Sequence, residues 1–254
     1  MRSASVAVVA VLALLAGSTG VASNPDPVVN VSKVLSRQVK RCAASASYRL
    51  GNRKVAYAAV VRKSAWAYRR PRRGRFVRFG RLNVNGVPTV FGIRRVLARR
   101  CAPRWFLVQL PIRPNGITGY VRARDVLVGH VETRISVDLS ARRLTLFRSG
   151  RRVLEVPVAI GARATPTPIG RFYVNQRLIA SDPTGPYGPG ALGISAFSNV
   201  LTEWAQGGPI AIHGTNQPWS IGRAVSNGCI RVQNRILRRL FARTLAGTPV
   251  VIRA

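Results

Sequence analysis

The sequence predicts a mainly β protein in two parts, a small β domain followed by a larger β-rich one with few helices. Three observations carry this. Between residues 45 and 130, short apolar runs are separated by Gly/Pro turns, the pattern of a small barrel or sandwich. From Thr133 onward, apolar and polar residues alternate as in half-buried strands. One late stretch, Asn234 to Leu245, spaces its apolar residues at 236, 237, 240, 241 and 245, which gives a single helical face.

Taken in order, residues 1–22 read as a secretory signal peptide. Arg2 supplies the positive end, Val6 to Ala16 is an apolar run of 11 residues, and Gly20-Val21-Ala22 offers small residues for cleavage. That run is short of the roughly 20 residues a bilayer requires, so the segment is either removed or kept as an amino-terminal anchor. No later stretch is apolar enough to cross a membrane. The chain is therefore expected outside the cytoplasmic membrane, secreted or in the cell wall, with no transmembrane helix after processing. Residues 23–44 open with Ser23-Asn24-Pro25-Asp26-Pro27 and read as a linker and lead-in.

In the 45–130 region, Val55–Val61, Ala65–Tyr68, Val87–Gly92 and Trp105–Leu110 are strand candidates, with a basic turn through Arg69 to Gly74. The second part, 131–254, opens with Arg134–Leu139 and Arg143–Arg148 around a short turn at Ser140-Ala141-Arg142, a hairpin. Ser149-Gly150 leads into Val153–Ile160. Thr165-Pro166-Thr167-Pro168 reads as a rigid loop entering the strand that begins near Ile169. Residues 181–193, SDPTGPYGPGALG, are too rich in glycine and proline for regular structure. They suggest a lid over residues 181–197, with Tyr187 touching substrate. Asn234 is placed to cap the late helix and Gly247 to end it, and Thr248 to Ile252 is a last strand.

The charge is extreme, with 41 Lys+Arg against 7 Asp+Glu and a net charge of +34. Such a surface attracts polyanions. Nucleic acid is one class, but no nucleic-acid motif accompanies the arginines, so no specific nucleic acid is expected. An anionic cell-wall polymer is an equally good electrostatic partner. The 47% hydrophobic content excludes wholesale disorder.

The chemistry is concentrated in Ile210 to Val232, IAIHGTNQPWSIGRAVSNGCIRV. His213 and Cys229 lie sixteen residues apart, each beside glycine. A thiol needs a base, or a neighbouring imidazolium that lowers its pKa, to become a nucleophile. Glycine lets a carbonyl approach and lets backbone N–H groups face a developing oxyanion. His213-Gly214-Thr215 followed by Ser226-Asn227-Gly228-Cys229-Ile230-Arg231 resembles the catalytic motif of the YkuD-type L,D-transpeptidases, with Asn227 where many members carry a second histidine. The resemblance covers about 133–254. It implies a YkuD-like β-sandwich catalytic domain, with Cys229 as nucleophile and His213 as base. Asn227, Gly228 and Cys229 would supply oxyanion-hole amides, and Ser226, Gly214 and Thr215 would shape the site. Arg231 would either bind a substrate carboxylate or brace the loop. Trp105 to Val126 resembles the end of a bacterial SH3-like barrel, with a Pro-Asn-Gly loop before Gly119-Tyr120-Val121.

The implied activity is peptidoglycan cross-linking. Cys229 takes the acyl group of a stem tetrapeptide as a thioester and an amine of a neighbouring stem receives it. Carbapenem-type β-lactams would then be inhibitors. With water as acceptor, the same site is an L,D-carboxypeptidase. A non-catalytic basic wall-binding protein is the remaining alternative. No acidic residue near His213 stands out beyond Asp182 and Glu203, so a backbone carbonyl is the other means of orienting the ring. In a secreted chain, three cysteines suggest one disulfide and one free thiol. Cys42 and Cys101 bracket the first β domain and Cys229 sits in the motif, so the expected bond is Cys42–Cys101. No metal site or cofactor is expected from three cysteines and two histidines at scattered spacings, and His130 reads as structural or exposed.

Overall fold

The computed structural model describes residues 28–39 and 42–254; the signal-peptide reading of residues 1–22 lies outside them. The protein is mainly β, as expected. Two sheets of eight strands each follow one another in sequence, with a short two-stranded pair beside the second.

Part of the expected linker is a helix. Val31–Gln38 (α1) is capped by Asn30, whose side chain accepts the Lys33 N–H at 3.1 Å. Val31 and Leu35, one turn apart, are both buried against the first sheet. The linker composition hid this because so short a helix gains its stability from packing and not from propensity.

The first sheet is antiparallel throughout. Its strands are β1 (Ala46–Tyr48), β2 (Ala56–Val61), β3 (Ser64–Arg70), β4 (Arg73–Gly80), β5 (Val90–Arg99), β6 (Ala102–Gln109), β7 (Thr118–Arg122) and β8 (Val126–Val131). They run in the order β4-β3-β7-β6-β5-β2-β8, with β1 on the far half of β5. The expected basic turn is much tighter than its charge suggested. Arg70 pairs with Arg73, so only Pro71 and Arg72 make the turn, Arg72 at φ 70°. The arginines on either side lie in strands with exposed side chains. Of the expected strand Val87–Gly92, residues 87–89 are a lead-in and Val90–Gly92 open β5, which runs on through Arg94 and Arg95 to Arg99. Cys42 and Cys101 are disulfide-bonded, Cα atoms 5.3 Å apart, and Cys229 is free.

The second sheet contains β9 (Thr133–Asp138), β10 (Arg143–Arg148), β11 (Arg151–Pro157), β13 (Gly170–Ile179), β14 (Gly190–Phe197), β15 (Pro209–His213), β17 (Ile230–Arg231) and β18 (Pro249–Arg253). The order is β11-β10-β9-β18-β13-β14-β15-β17. The expected hairpin is β9–β10, with Arg143 opposite Asp138. The final strand β18 inserts between β9, to which it is parallel, and β13. The short pair is β12 (Ile160–Gly161) with β16 (Ala224–Ser226).

The loop expected as a lid over 181–197 ends at Pro189. Residues 190–197 are β14, an interior strand of the sheet buried along nearly its whole length. Its glycines serve close approach. A Cβ on Gly193 would lie 2.7 Å from the Gln176 amide nitrogen on the neighbouring strand. Gly/Pro content therefore marked a loop only as far as Pro189.

The helix α2 (Asn234–Arg243) packs Ile236, Leu237 and Leu240 against β14 and β15. Each such side chain contributes roughly 1.5–3 kcal/mol when fully buried. The helix ends at Arg243, two residues before the expected Leu245, with Thr244 as its C-cap. Gly247 lies beyond it at φ 97°, with its N–H on the Val174 carbonyl.

Each sheet has its own core, and a polar seam joins them. The buried Tyr173 hydroxyl sits 3.1 Å from the carbonyls of both Val90 and Gln109. Gln109 donates to the Arg171 carbonyl at 2.9 Å. Arg113 donates to the carbonyls of Ser198 and Gly207. Asn115, in the Pro-Asn-Gly loop, donates to the Phe197 carbonyl at 2.7 Å and accepts the Phe197 N–H at 2.8 Å. No helix among the described residues is long and apolar enough to cross a membrane.

Candidate active site

His213 ends β15 and Cys229 immediately precedes β17, its neighbour in the sheet, because the segment between them returns the chain to the same sheet edge. Strand β15 runs parallel to β17, with Ile212 opposite Ile230 and His213 opposite Arg231. Side chains alternate along a strand. Ile210, Ile212, Ile230 and Val232 therefore fill the core, each at most 1% exposed. Ala211, His213, Cys229 and Arg231 share the opposite face. Cys229 lies level with Ala211 and diagonal to His213.

His213 is buried, and its Nδ1 bonds to the Gly214 carbonyl. Neither Asp182 nor Glu203 orients it. Asp182 is occupied by Thr184, and Glu203 is exposed beside Thr202. Burial lowers the imidazole pKa to about 4; the bond to Gly214 opposes this and Arg231 adds to it. The ring is thus neutral near pH 7. A carbonyl accepts only, so Nδ1 carries the proton and Nε2 is left as a base.

The surroundings of the thiol favour its neutral form. Burial of its sulfur pushes the Cys229 pKa up, against the opposing pull of the Ala211 N–H and of Arg231. The residue as a whole keeps partial solvent access. The expected lowering of the thiol by His213 is therefore not what the surroundings produce. Both partners start neutral, because desolvation opposes charge on each of them.

The turn that carries Cys229 is held by hydroxyls. Ser226 Oγ donates to the Cys229 carbonyl at 2.6 Å and accepts the Gly228 N–H at 3.2 Å. The Gly228 amide is thereby occupied, which corrects its assignment as an oxyanion donor. Gly228 has φ 104°, a conformation that suits glycine. Asn227 is exposed at the tip. Two threonines missed at the sequence level complete the cradle. Thr165 Oγ1 donates to the Ser226 carbonyl at 2.9 Å. Thr167 Oγ1 donates to the Gly228 carbonyl and accepts the Gly161 N–H, both at 2.9 Å. The Thr-Pro-Thr-Pro segment is a loop entering β13, and its hydroxyls also brace the turn before Cys229. Its signal was the alternation of hydroxyls with prolines, which have no N–H of their own to spend on the backbone.

Asn234 does not cap α2. Its side chain accepts the Thr215 N–H at 2.7 Å, and the helix N-cap, Gln233, makes no side-chain cap. A Cβ on either Gly214 or Gly188 would strike the same Asn234 oxygen. Thr215 Oγ1 in turn accepts the Gln217 N–H at 3.0 Å. Arg231 donates to Gln217 Oε1 at 2.7 Å, while its Nε is buried without a partner. It has no carboxylate partner among the described residues. Tyr187 stands over the pair, its ring centroid 4.9 Å from that of His213 at 59°. Burial raises its phenol pKa, with Cys229 adding to the rise.

The sequence model of the YkuD L,D-transpeptidase catalytic domain matches residues 132–252. A Bacillus licheniformis protein bearing the name L,D-transpeptidase YkuD is 40% identical over 119 residues, covering 47% of this chain and 64% of that protein. Its namesake in Bacillus subtilis is 39% identical over 118 residues, covering 46% and 64%. The chain thus spans less than two thirds of the length of these relatives. The solved catalytic domain of the Enterococcus faecium L,D-transpeptidase is 26% identical over 48% of this chain and 96% of its own, with a TM-score of 0.36; the assignment rests on the sequence matches. Residues 132–252 of this chain match the catalytic domain of the YkuD L,D-transpeptidase family.

Proposed function

We propose that this chain is a secreted peptidoglycan L,D-transpeptidase that works through a Cys229 thioester. The observation that carries the reading is the placement of Cys229 and His213 on one face of adjacent parallel strands, under Tyr187. Cys229 Sγ attacks the carbonyl of the donor stem peptide as its proton passes to Nε2 of His213. The C–N bond to the terminal D-alanine breaks, and that amine leaves with the proton. An amine of a second stem then attacks the thioester. Its proton passes to His213, the C–S bond breaks, and the thiolate is reprotonated. Because thiol and imidazole both begin neutral, proton transfer accompanies attack and does not precede it. The amides of Asn227 and Cys229 are the oxyanion donors in this reading. Arg231, with an unpaired buried Nε beside the thiol, is placed for a substrate carboxylate. The first β domain, SH3-like in residues 105–126, serves as an accessory wall-facing module.

The test is incubation of purified protein with tetrapeptide muropeptides, followed by separation of products. Cross-linked dimers with release of D-alanine are expected, and neither in Cys229→Ala. D-alanine release without dimers would mean water is the acceptor, and the activity a carboxypeptidase. No release from the wild type would overturn the reading.

A further inference from the structure

The carboxylates are distributed very unevenly. Residues 28–124 hold 24 lysines and arginines and no aspartate or glutamate. On one face of the first sheet this charge is ordered. Across β3–β4, Trp66 stands opposite Arg78 and Tyr68 opposite Arg75; across β6–β7, Trp105 stands opposite Arg122. Tyr68 pairs with β7 two residues from Arg122, so the six side chains share a face. Arg75 lies over the Trp66 ring at 5.0 Å. Arg122 lies over both Tyr68 and Trp105, at 5.5 and 5.8 Å, and those two rings are buried. None of the three arginines has a carboxylate partner among the described residues.

A guanidinium resting on a ring loses its freedom to wander, and its edge N–H groups stay available in a plane. That is the donor geometry that takes a phosphate with two parallel hydrogen bonds. The rings themselves are already covered. A nucleic-acid platform offers free aromatic faces on which bases stack, and here the guanidinium groups occupy those faces. The surface is therefore suited to the charges of a polymer and not to its bases.

We propose that this face, through Arg75, Arg78 and Arg122, binds a linear phosphodiester polymer without stacking bases, of the polyol-phosphate kind. It would hold the enzyme on an anionic matrix independently of the Cys229 site. The test uses the full-length protein and poly(glycerol phosphate), with single-stranded DNA of equal charge as comparator, across a salt series. Affinity for the polyol phosphate should exceed that for DNA. R75A/R78A should weaken it at least tenfold at 0.1 M salt and flatten the plot of log K against log salt by about 1.4, at roughly 0.7 per single-strand phosphate contact. Arg122→Lys keeps the charge but removes the fork, and should also weaken binding. R238A/R239A, which removes the same charge from the exposed face of α2, should change affinity less than twofold. R75A/R78A should leave muropeptide turnover unchanged, which separates this site from the catalytic one. Equal losses in the two double variants would mean diffuse charge and no site. Tighter binding of DNA would make the face a nucleic-acid interface. Either outcome overturns the proposal, as does absence of binding to the polyol phosphate.

Discussion

Burial of a neutral His213 makes the stability of this protein depend on pH in a defined window. In the folded state the imidazole pKa is about 4, against an ordinary value of about 6.5 in the unfolded chain. Between these values the unfolded state binds more protons, so stability falls as pH falls. The contribution is fully present above pH ~6.5 and is lost progressively toward pH ~4, where it levels off. For a single site with these two pKa values the loss is about 2 kcal/mol at pH 5 and about 3 kcal/mol at pH 4. The measurement is urea unfolding of the wild type and His213→Gln at several pH values from 7.5 to 4. The difference between the two proteins cancels His130 and the 7 carboxylates, which both retain. The wild type should lose about 3 kcal/mol more than His213→Gln across that range. A difference that stays flat within ~0.5 kcal/mol would refute the buried neutral imidazole, and with it the assignment of Nε2 as a ready base.

Three further outcomes are expected. Thr167→Val leaves the Gly161 N–H and the Gly228 carbonyl without their buried partner, so unfolding free energy should fall by about 1–3 kcal/mol, and kcat should fall as well because the nucleophile turn loosens; unchanged kinetics would limit Thr167 to a structural role. Tyr187→Ala should raise KM or lower kcat while Tm moves little, since the side chain sits over His213 at the surface of the fold; untouched kinetics would make 181–189 only a connector. A β-lactam is a strained acyl donor, so a carbapenem should add one inhibitor mass to the peptide containing Cys229 and none to disulfide-bonded Cys42 or Cys101. Persistence of that adduct in Cys229→Ala would sink the nucleophile assignment.

The sequence made the strand alternation of β9 and β10, the helical face of α2 and the His213–Cys229 motif readable, because each is a local pattern of residue types. What escaped it depends on which group reaches which across the fold. Asn234 looked like a cap because it begins a helix, yet its oxygen serves Thr215, nineteen residues earlier. Thr165 and Thr167 looked like loop filler, yet they hold carbonyls 61 residues away. The thiol's pKa direction could not be read either. A histidine close in sequence pattern suggested activation, whereas desolvation of the sulfur decides the sign. Gly190 and Gly193 counted as loop residues by composition, although they let two central strands pass closely.

The bonds from Asn115 to Phe197 give the two halves a shared grammar. At the end of β14 the backbone meets an amide side chain that supplies both donor and acceptor, just as another strand would. The catalytic half is therefore not a freely exchangeable cassette. Severed near residue 131, it would leave the Phe197 amide and the carbonyls of Phe197, Ser198, Gly207 and Arg171 to find water instead. A chimera that replaces the first domain must bring its own equivalents of Gln109, Arg113 and Asn115, or accept a frayed end on the strand that neighbours His213.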